Sequence, residues 1–354
     1  MKIFITGGLG SLGRRLGYYF AQQPHVERVI LFGRNEYQLY CVEQLFKEMG
    51  ARGLLESSHE AKISFFQGDI RDPDRLAMAL GRRDIDVVIH AAALKRVDVA
   101  LSNPTEIQQT NIDGTSNVLR ASLNCGVRRF VFVSSDKAVE PANIYGASKF
   151  FAEELVNGFN VFSEPQGMRC NVVRYGNVLG SRGSVYWIWR KLLLAMQTIP
   201  ITDNAMTRFF ITFDQAVATI ELAIMQGRAG DIIIPNLESY YLPQFLEAMV
   251  RAYDNLPYQS AHVGKRLGGE KLNESLITAN ELTKIPNSKK LFRHHEFFVF
   301  NERNQAWPIE NHAAAHLLNS EPTPATHLST DELTLELRKF HEHERLLSRP
   351  DVME

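Results

Sequence analysis

Near the start of the sequence stands Ile3-Phe4-Ile5-Thr6-Gly7-Gly8-Leu9-Gly10-Ser11-Leu12-Gly13, which contains four glycines within seven residues. A short run of β-branched and aromatic residues leads into a glycine-rich turn and then into a helical pattern. Glycines permit a tight turn and a close approach to a phosphate, which the N–H groups of a helix N-terminus can bind. A flexible surface turn is the alternative. The position between strand and helix favours a dinucleotide-binding βα unit.

Four more apolar runs follow at residues 29–32, 63–66, 87–89 and 130–133, separated by longer helical patterns. Strands that are apolar on both faces and alternate with helices are typical of a parallel sheet covered on both sides. We therefore expect an α/β fold, with a Rossmann-like doubly wound parallel sheet and a smaller C-terminal substrate-binding domain.

The domain boundaries are predicted from changes in this alternation. The chain has 354 residues, which exceeds the common size of one domain. The strand and helix alternation loosens after the apolar run at 171–173 and returns for one helix and one strand. Near the end, residues 330–347 form an amphipathic segment. We assign residues 1–176 and 205–236 to the nucleotide-binding domain, 177–204 and 237–290 to the substrate domain, and 291–354 to a C-terminal extension of unknown role.

Composition excludes several classes of partner. The formal net charge is −1 with acidic and basic residues interspersed, so nothing indicates binding to a nucleic acid or a membrane surface. No apolar run is long enough to span a bilayer. The three cysteines have no Cys-x-x-Cys spacing, and the histidine pairs 294/295 and 341/343 lack the spacing of a metal site. We expect a cytoplasmic protein without a metal.

The second to fourth strands end in candidate cofactor contacts. Arg34 favours NADP because arginine accommodates a 2′-phosphate, whereas Glu36 keeps NAD possible through the ribose 2′-hydroxyl. Asp69 could contact adenine or cap the following helix. The alanines after the fourth strand leave room for a nicotinamide ribose or pack in the core. The cofactor contacts predicted from these patterns are Thr6, Gly7, Gly10, Ser11, Leu12, Gly13, Arg34, Glu36, Asp69, Ile70, Ala91, Ala92 and Ala93.

Tyr145 and Lys149 form a candidate catalytic pair after the fifth strand. Their i,i+4 spacing puts both side chains on one helix face, where the ammonium can lower a phenol pKa that is ordinarily about 10. Tyr145 can then take a proton from a sugar hydroxyl while a hydride leaves the same carbon for the nicotinamide.

The dipeptide Asp136-Lys137 at the end of the fifth strand indicates an additional elimination step. A C4 ketone makes the C5 proton acidic and places the C6 hydroxyl β to it. A base at C5 and an acid at C6 can then expel water. We expect Lys137 to be the base, with its pKa lowered by nearby cations, and Asp136 to be the acid. The alternative is that Asp136 caps a turn and Lys137 is solvated.

Longer motifs around these residues occur in a recognisable order. They cover residues 93–97, 103–104, 135–149, 174–185 and 201–209. In this order they resemble the inverting UDP-N-acetylglucosamine 4,6-dehydratases of pseudaminic acid synthesis, within the extended short-chain dehydrogenase/reductase superfamily.

The resemblance implies a catalytic set, a product and an assembly. The catalytic residues would be Asp136, Lys137, Tyr145 and Lys149, and Lys137 points to the inverting branch. The product would be UDP-2-acetamido-2,6-dideoxy-β-L-arabino-hex-4-ulose, made by a homo-oligomer. Cofactor contacts would also come from Lys95, Tyr145 and Lys149. The substrate contacts that the resemblance implies are Lys95, Ser135, Asn177, Arg182, Thr207, Arg208, Arg266 and Glu270.

Three features depart from the family pattern. Ser135 replaces a threonine but keeps the hydroxyl, and the segment from Arg266 to Glu270 is one residue longer than usual. Residues 186–189 are bulkier than expected and could reshape the sugar pocket or belong to the core.

Two other functions remain open at this point. A UDP-hexosamine 4-epimerase would use the same tyrosine but has no need of Asp136-Lys137. A non-catalytic NADP-sensing protein has no need of Tyr145 and Lys149 together.

Overall fold

The computed structural model describes residues 1–81, 84–264, 269–284, 288–292, 295–301 and 327–347, with the side chains of 282–284, 288–292, 295–296, 300 and 345–347 excepted. The strands in these ranges are β1 (Lys2–Thr6), β2 (Arg28–Gly33), β3 (Ile63–Gln67), β4 (Val87–His90), β5 (Arg129–Val133), β6 (Arg169–Val173), β7 (Asn177–Val178), β8 (Ile199–Ile201), β9 (Thr207–Ile211), β10 (Asp231–Pro235), β11 (Ser239–Tyr241), β12 (Ser260–His262), β13 (Ser288–Phe292) and β14 (His295–Asn301).

Helices connect most of these strands. They are α1 (Ser11–Ala21), α2 (Glu36–Ala51), α3 (Ser57–Glu60), α4 (Pro73–Gly81), α5 (Val97–Ser102), α6 (Pro104–Ile107), α7 (Gly114–Asn124), α8 (Ile144–Ser163), α9 (Val185–Leu194), α10 (Phe213–Gln226), α11 (Leu242–Ala252), α12 (Ala279–Lys284) and α13 (Thr330–Leu347).

The main sheet has the strand order β13-β14-β10-β6-β5-β4-β1-β2-β3. Neighbouring strands from β10 to β3 run parallel, as expected for strands joined by helical crossovers. Strands β1, β2, β4 and β5 are almost fully buried, because helices cover both faces of the sheet. The predicted Rossmann-like fold is confirmed.

The sheet continues beyond the predicted nucleotide-binding domain. Strand β14 pairs antiparallel with β10, and Phe297, Phe298 and Val299 are buried in the main core. These residues were expected in a C-terminal extension. Their apolar side chains instead complete the sheet, while the division of the remaining chain into domains stays a prediction.

A second core lies beside the main sheet and is built from α9, α11 and α13. Tyr186 and Trp187 at the start of α9 meet the Phe340 ring of α13, with centroid distances of 5.2 and 6.1 Å. The bulky segment 186–189 is therefore explained in part by its packing against the C-terminal helix. Leu333 and Leu337 are fully buried in the same core, which confirms the predicted amphipathic segment.

No helix in the described part of the chain combines the length and apolar character needed to cross a membrane.

Candidate active site

The glycine-rich turn forms a tight cradle between β1 and α1. Gly7 has φ +68°, and a Cβ added there would lie 2.8 Å from the backbone of Ala91 and Ala92. A Cβ at Gly13 would collide with the Gly7 carbonyl oxygen, so only glycine lets α1 pack this closely on the turn. Gly10 precedes α1, and its N–H donates to the Gly7 carbonyl. This cradle fits a pyrophosphate at the α1 N-terminus.

Thr6 lies in the core, behind the cradle. Its hydroxyl is 2.6 Å from His90 Nδ1, and His90 Nε2 lies 3.0 Å from the Thr115 hydroxyl. Burial, and then the charge of Lys149, lower the pKa of His90 to about 3, so this ring is neutral. The hydrogen bond between the Thr6 hydroxyl and His90 therefore joins β1 to β4. A cofactor contact of Thr6 would have to come from the Thr6 backbone. No sequence signal indicated His90.

A surface pocket of about 600 Å³ opens at the ends of β2 and β3. Arg34 and Asp69 face each other there, with 3.7 Å between Nη1 and Oδ2. Arg75, which the sequence did not indicate, lies 4.3 Å over the Phe66 ring. Glu36 begins α2 and is exposed outside the lining. The pocket is lined by Arg34, Asn35, Gln67, Gly68, Asp69, Asp72 and Arg75.

Asp69 does not cap the following helix. Asp72 does so, because its Oδ1 accepts from the Arg75 N–H at 2.9 Å. Burial raises the pKa of Asp69, but hydrogen bonds from Arg71 outweigh this effect and bring the pKa below its usual value. Ile70 is 4% exposed and packs near Gly114, as a core residue does. Ala91, Ala92 and Ala93 are half-buried beside the cradle.

Helix α8 carries Tyr145 and Lys149, both buried. The Asn143 side chain caps this helix by accepting from the Gly146 N–H at 2.9 Å. Lys149 Nζ donates to the Val133 carbonyl at 2.7 Å and lies 4.2 Å over the Phe132 ring. Burial lowers the pKa of Lys149 to about 7, although Glu153 opposes the shift.

The pKa of Tyr145 departs from the sequence expectation. Its pKa is raised to about 12: burial is the largest cause and Asp136 adds to it, while the charge of Lys137 and a hydrogen bond with Ser135 oppose the rise. The cation that stabilises the phenolate is thus Lys137. In this structure the ammonium of Lys149 points to a backbone carbonyl.

Asp136 and Lys137 lie in a 3-10 turn directly after β5. The Ser135 hydroxyl donates to Asp136 Oδ1 at 2.6 Å, and Lys137 Nζ donates to the same oxygen at 3.1 Å. Asp136 is fully buried, and its Oδ2 has no hydrogen-bond partner among the described residues. This oxygen is the one available to a ligand hydroxyl.

The pKa of Lys137 shifts in the direction opposite to the one expected from the sequence. Burial lowers its pKa, but Asp136 and Glu274 outweigh burial and raise the pKa above the usual lysine value. Glu274 Oε1 lies 3.5 Å from Lys137 Nζ. The prediction of a lowered pKa is therefore wrong, because Asp136 and then Glu274 stabilise the ammonium; sequence reasoning missed Glu274.

The predicted substrate residues of β9 contact the segment 269–278. Arg208 is 6% exposed, and Nη1 donates to the carbonyls of Thr207, Lys271 and Leu272 at 2.6 to 3.2 Å. Its Nη2 lies 3.5 Å from Glu270. The Thr207 hydroxyl donates to the Asn273 side chain. Arg266 lies outside the described residues.

Cations gather near the N-terminus of α1. The Arg182 N–H donates to the Ser11 hydroxyl at 3.0 Å. Burial, and then the charge of Arg182, lower the pKa of Arg14 to about 10. Partial desolvation and the charge of Arg182 also lower the pKa of Lys95. Cations that lower one another's pKa favour a bound anion. Sequence reasoning missed Arg14, although it directly follows Gly13.

Leu12 and Asn177 lie beside this cluster in different settings. Leu12 packs between the two cores, and Asn177 is exposed on β7, paired with Phe210 of β9.

The site as a whole combines an anion cradle with an acid, a base and a phenol. Ser135, Asp136, Lys137 and Tyr145 are brought together where β5 ends, beside Glu274 and Arg208. Such a group can move protons to and from two neighbouring carbons of a ligand whose phosphates lie at the cation cluster.

Comparison with known proteins places the chain among enzymes of nucleotide sugars. The profile of the family described as "Polysaccharide biosynthesis protein" matches residues 3–296. A protein of Campylobacter jejuni subsp. jejuni serotype O:23/36 named UDP-N-acetylglucosamine 4,6-dehydratase (inverting) is 35% identical over 281 residues, which cover 79% of this chain and 78% of that protein.

Two further relatives match almost the whole chain. A protein of Rickettsia akari named UDP-glucose 4-epimerase is 29% identical, covering 95% of this chain and 98% of its own. The X-ray structure of Pen from Bacillus thuringiensis matches with a TM-score of 0.80 and 29% identity, covering 97% and 98% of the two chains.

Proposed function

The chain belongs to the polysaccharide biosynthesis protein family, and from that premise we propose that it dehydrates UDP-N-acetylglucosamine to UDP-2-acetamido-2,6-dideoxy-β-L-arabino-hex-4-ulose with NADP as its cofactor. The resemblance to inverting 4,6-dehydratases is confirmed by the Campylobacter relative. The observation that carries the proposal is the Asp136–Lys137 pair, which lies beside Tyr145 with one carboxylate oxygen available.

Oxidation at C4 is assigned to Tyr145. Its phenolate, stabilised by the charge of Lys137, accepts the C4 hydroxyl proton. A bound nicotinamide would supply hydride transfer, from C4 first and back to C6 after elimination, when C5 takes a proton from solvent on the opposite face of the ring and Tyr145 gives its proton up to solvent. The glycine cradle and the cations Arg14, Lys95 and Arg182 hold the phosphates during these steps.

Elimination is assigned to Asp136 and Lys137. Transfer of one proton from Lys137 to Asp136, across 3.1 Å, converts the ion pair into an amine and a carboxylic acid. The amine takes the C5 proton, and the acid gives its proton to the C6 hydroxyl, which leaves as water. Both groups then return to the charged forms, so the pair is ready for another cycle.

The test of this function is turnover of UDP-N-acetylglucosamine in deuterated water, followed by NMR and mass spectrometry. We expect loss of water, a C6 methyl group, deuterium at C5 and the L-arabino configuration. A product that keeps the D-configuration at C5 would contradict inversion.

The second candidate function is 4-epimerisation, which the Rickettsia relative favours by its name. An epimerase would yield a C4 epimer of unchanged mass in the same experiment. A cofactor sensor would bind NADP and turn over no UDP-sugar.

The choice of NADP rests on the two arginines of the β2–β3 pocket. We expect Arg34→Ala to weaken NADP binding by about 10- to 100-fold, because a charged hydrogen bond contributes roughly 1.5–3 kcal/mol. NAD has no 2′-phosphate, so its affinity should change little. Calorimetric titration of both cofactors measures the difference, with the exposed Arg120→Ala of α7 as the control. Equal loss for NAD and NADP would contradict a 2′-phosphate contact.

We also propose that the enzyme is a cytoplasmic homo-oligomer that supplies bacterial surface-polysaccharide or nonulosonic acid synthesis, including pseudaminic acid. The exposed face of α8 supports self-association, since Phe150, Phe151, Val161 and Phe162 are 47 to 66% exposed. A second copy that covers this face would remove four large apolar side chains from water.

A further inference from the structure

Glu274 is a buried carboxylate that meets Lys137 from a distant part of the chain. It is 3% exposed, and its Oε1 lies 3.5 Å from Lys137 Nζ. Asp136, the residue before Lys137, lies 3.1 Å from the same ammonium through its Oδ1. A single lysine is therefore held between two carboxylates, although the proposed elimination needs only one acid and one base.

The segment 269–278 holds Glu274 in this place through several contacts. Lys271 Nζ donates to the Val139 carbonyl at 2.6 Å, and Arg208 donates to the carbonyls of Lys271 and Leu272. The Thr207 N–H donates to the Leu272 carbonyl at 3.0 Å. These contacts join the segment to Val139, just after Asp136-Lys137, and to β9. They fix the position of the Glu274 carboxylate.

The remaining groups around Lys137 do not replace this contact. Arg208 repels the ammonium and acts to lower its pKa. Burial raises the pKa of Tyr145 and of Tyr240, and the charge of Lys137 opposes that rise. The titratable and charged groups that face Lys137 are Asp136, Tyr145, Arg208, Tyr240 and Glu274. Of these, only Asp136 and Glu274 supply a carboxylate to the described site.

We propose that Glu274 is a positioning residue for elimination, which holds Lys137 Nζ beside Asp136 and so controls the transfer of a proton between them. The inference rests on the proposed dehydration, and it assigns Glu274 no contact with the sugar. After Lys137 transfers its proton to Asp136, Glu274 faces a neutral amine and loses an ion pair. The carboxylate thus stabilises the ion pair of Lys137 with Asp136 relative to the amine and the acid.

The expected signature is a shift in the pH profile of water loss. The amine and the acid together carry the same number of protons as the ion pair, so the rate stays level with pH and falls only where Lys137 loses its proton to solvent and Asp136 has no proton to give. In Glu274→Gln one carboxylate is removed, the pKa of Lys137 falls, and this fall in rate should move to lower pH by about one unit or more. KM should stay within roughly twofold, since the residue is assigned no substrate contact.

Two variants control this experiment. Glu274→Asp keeps the charge and should shift the fall in rate by less than half as much as Glu274→Gln does. Glu221→Gln removes a half-buried carboxylate of α10 that accepts from the Tyr19 hydroxyl at 2.7 Å, and should leave the profile unchanged. A Glu274→Gln profile that coincides with that of the wild type would overturn the inference.

A second experiment tests the inference without measuring catalytic turnover. Lys137 in the folded, full-length protein is acylated with acetic anhydride at a series of pH values, and the modified peptide is quantified by mass spectrometry. The midpoint should be lower in Glu274→Gln than in the wild type. An unchanged midpoint overturns the role of Glu274, whereas a wild type that loses no water from UDP-N-acetylglucosamine overturns the proposed function instead.

Discussion

Replacing Lys137 by alanine is expected to slow water loss by about 10²- to 10⁴-fold, the usual contribution of a general base. Lys137 Nζ is the amine that lies beside Asp136 Oδ1 at 3.1 Å, and alanine leaves no group to take the C5 proton. Oxidation at C4 precedes elimination, so a variant that cannot eliminate should accumulate reduced nicotinamide. Cofactor binding should be retained, because the glycine cradle and the β2–β3 pocket are untouched.

The measurement combines the rate of water loss with the near-ultraviolet absorbance of reduced nicotinamide. Lys47→Ala is the control, since Lys47 lies on α2 and pairs with Glu43 at the surface. Water loss at the wild-type rate in Lys137→Ala would refute the role of Lys137. A variant that neither oxidises nor eliminates would place Lys137 in the first step, through its effect on the Tyr145 phenolate.

Replacing Arg174 by methionine is expected to lower the free energy of unfolding by about 3–5 kcal/mol, the usual effect of removing one partner of a buried ion pair. Arg174 is 2% exposed. It donates to Glu153 at 2.6 and 3.1 Å, to the Leu276 carbonyl at 2.9 Å and to Glu281 at 3.1 and 3.2 Å. Methionine fills part of the volume but leaves the Glu153 carboxylate buried without its cation.

Urea denaturation followed by circular dichroism measures this loss. The double variant Arg174→Met with Glu153→Gln should recover part of the stability, because the unpaired charge is then also removed. Arg251→Met breaks an exposed pair with Glu247 and Asp331 and should cost less than about 1 kcal/mol. A single Arg174→Met variant that unfolds at the wild-type urea concentration would contradict a structural role for this cluster.

Much of the fold could be read from local patterns, and the exceptions have a physical reason. The strands β1 to β5 are apolar on both faces, and α13 carries its buried leucines at helical spacing, so neighbouring residues are sufficient to indicate them. Strand β14 was not recognised, because only its pairing with β10 shows that it belongs to the sheet.

Some residues of the candidate site could be predicted from the sequence, and others could not. Tyr145 and Lys149 are one helical turn apart, and the glycines of the cradle are close in sequence, so both were found. Glu274 comes 137 residues after Lys137 in the sequence and meets it only in the folded chain. Asp136 and then Glu274 raise the pKa of Lys137, whereas local reasoning counted only nearby cations and therefore assigned the shift the wrong direction.

The position of α13 in the second core has a consequence for the order of events during synthesis. Leu333, Leu337 and Phe340 fill that core, and Phe340 covers Gly180 in the loop that carries Arg182. The partners of β1 to β5 all lie among β1 to β6, so these strands can pair while later parts of the chain are still being translated. The loop of Arg182 acquires its cover only after residue 340 has emerged, so β1 to β5 can pair well before the second core closes.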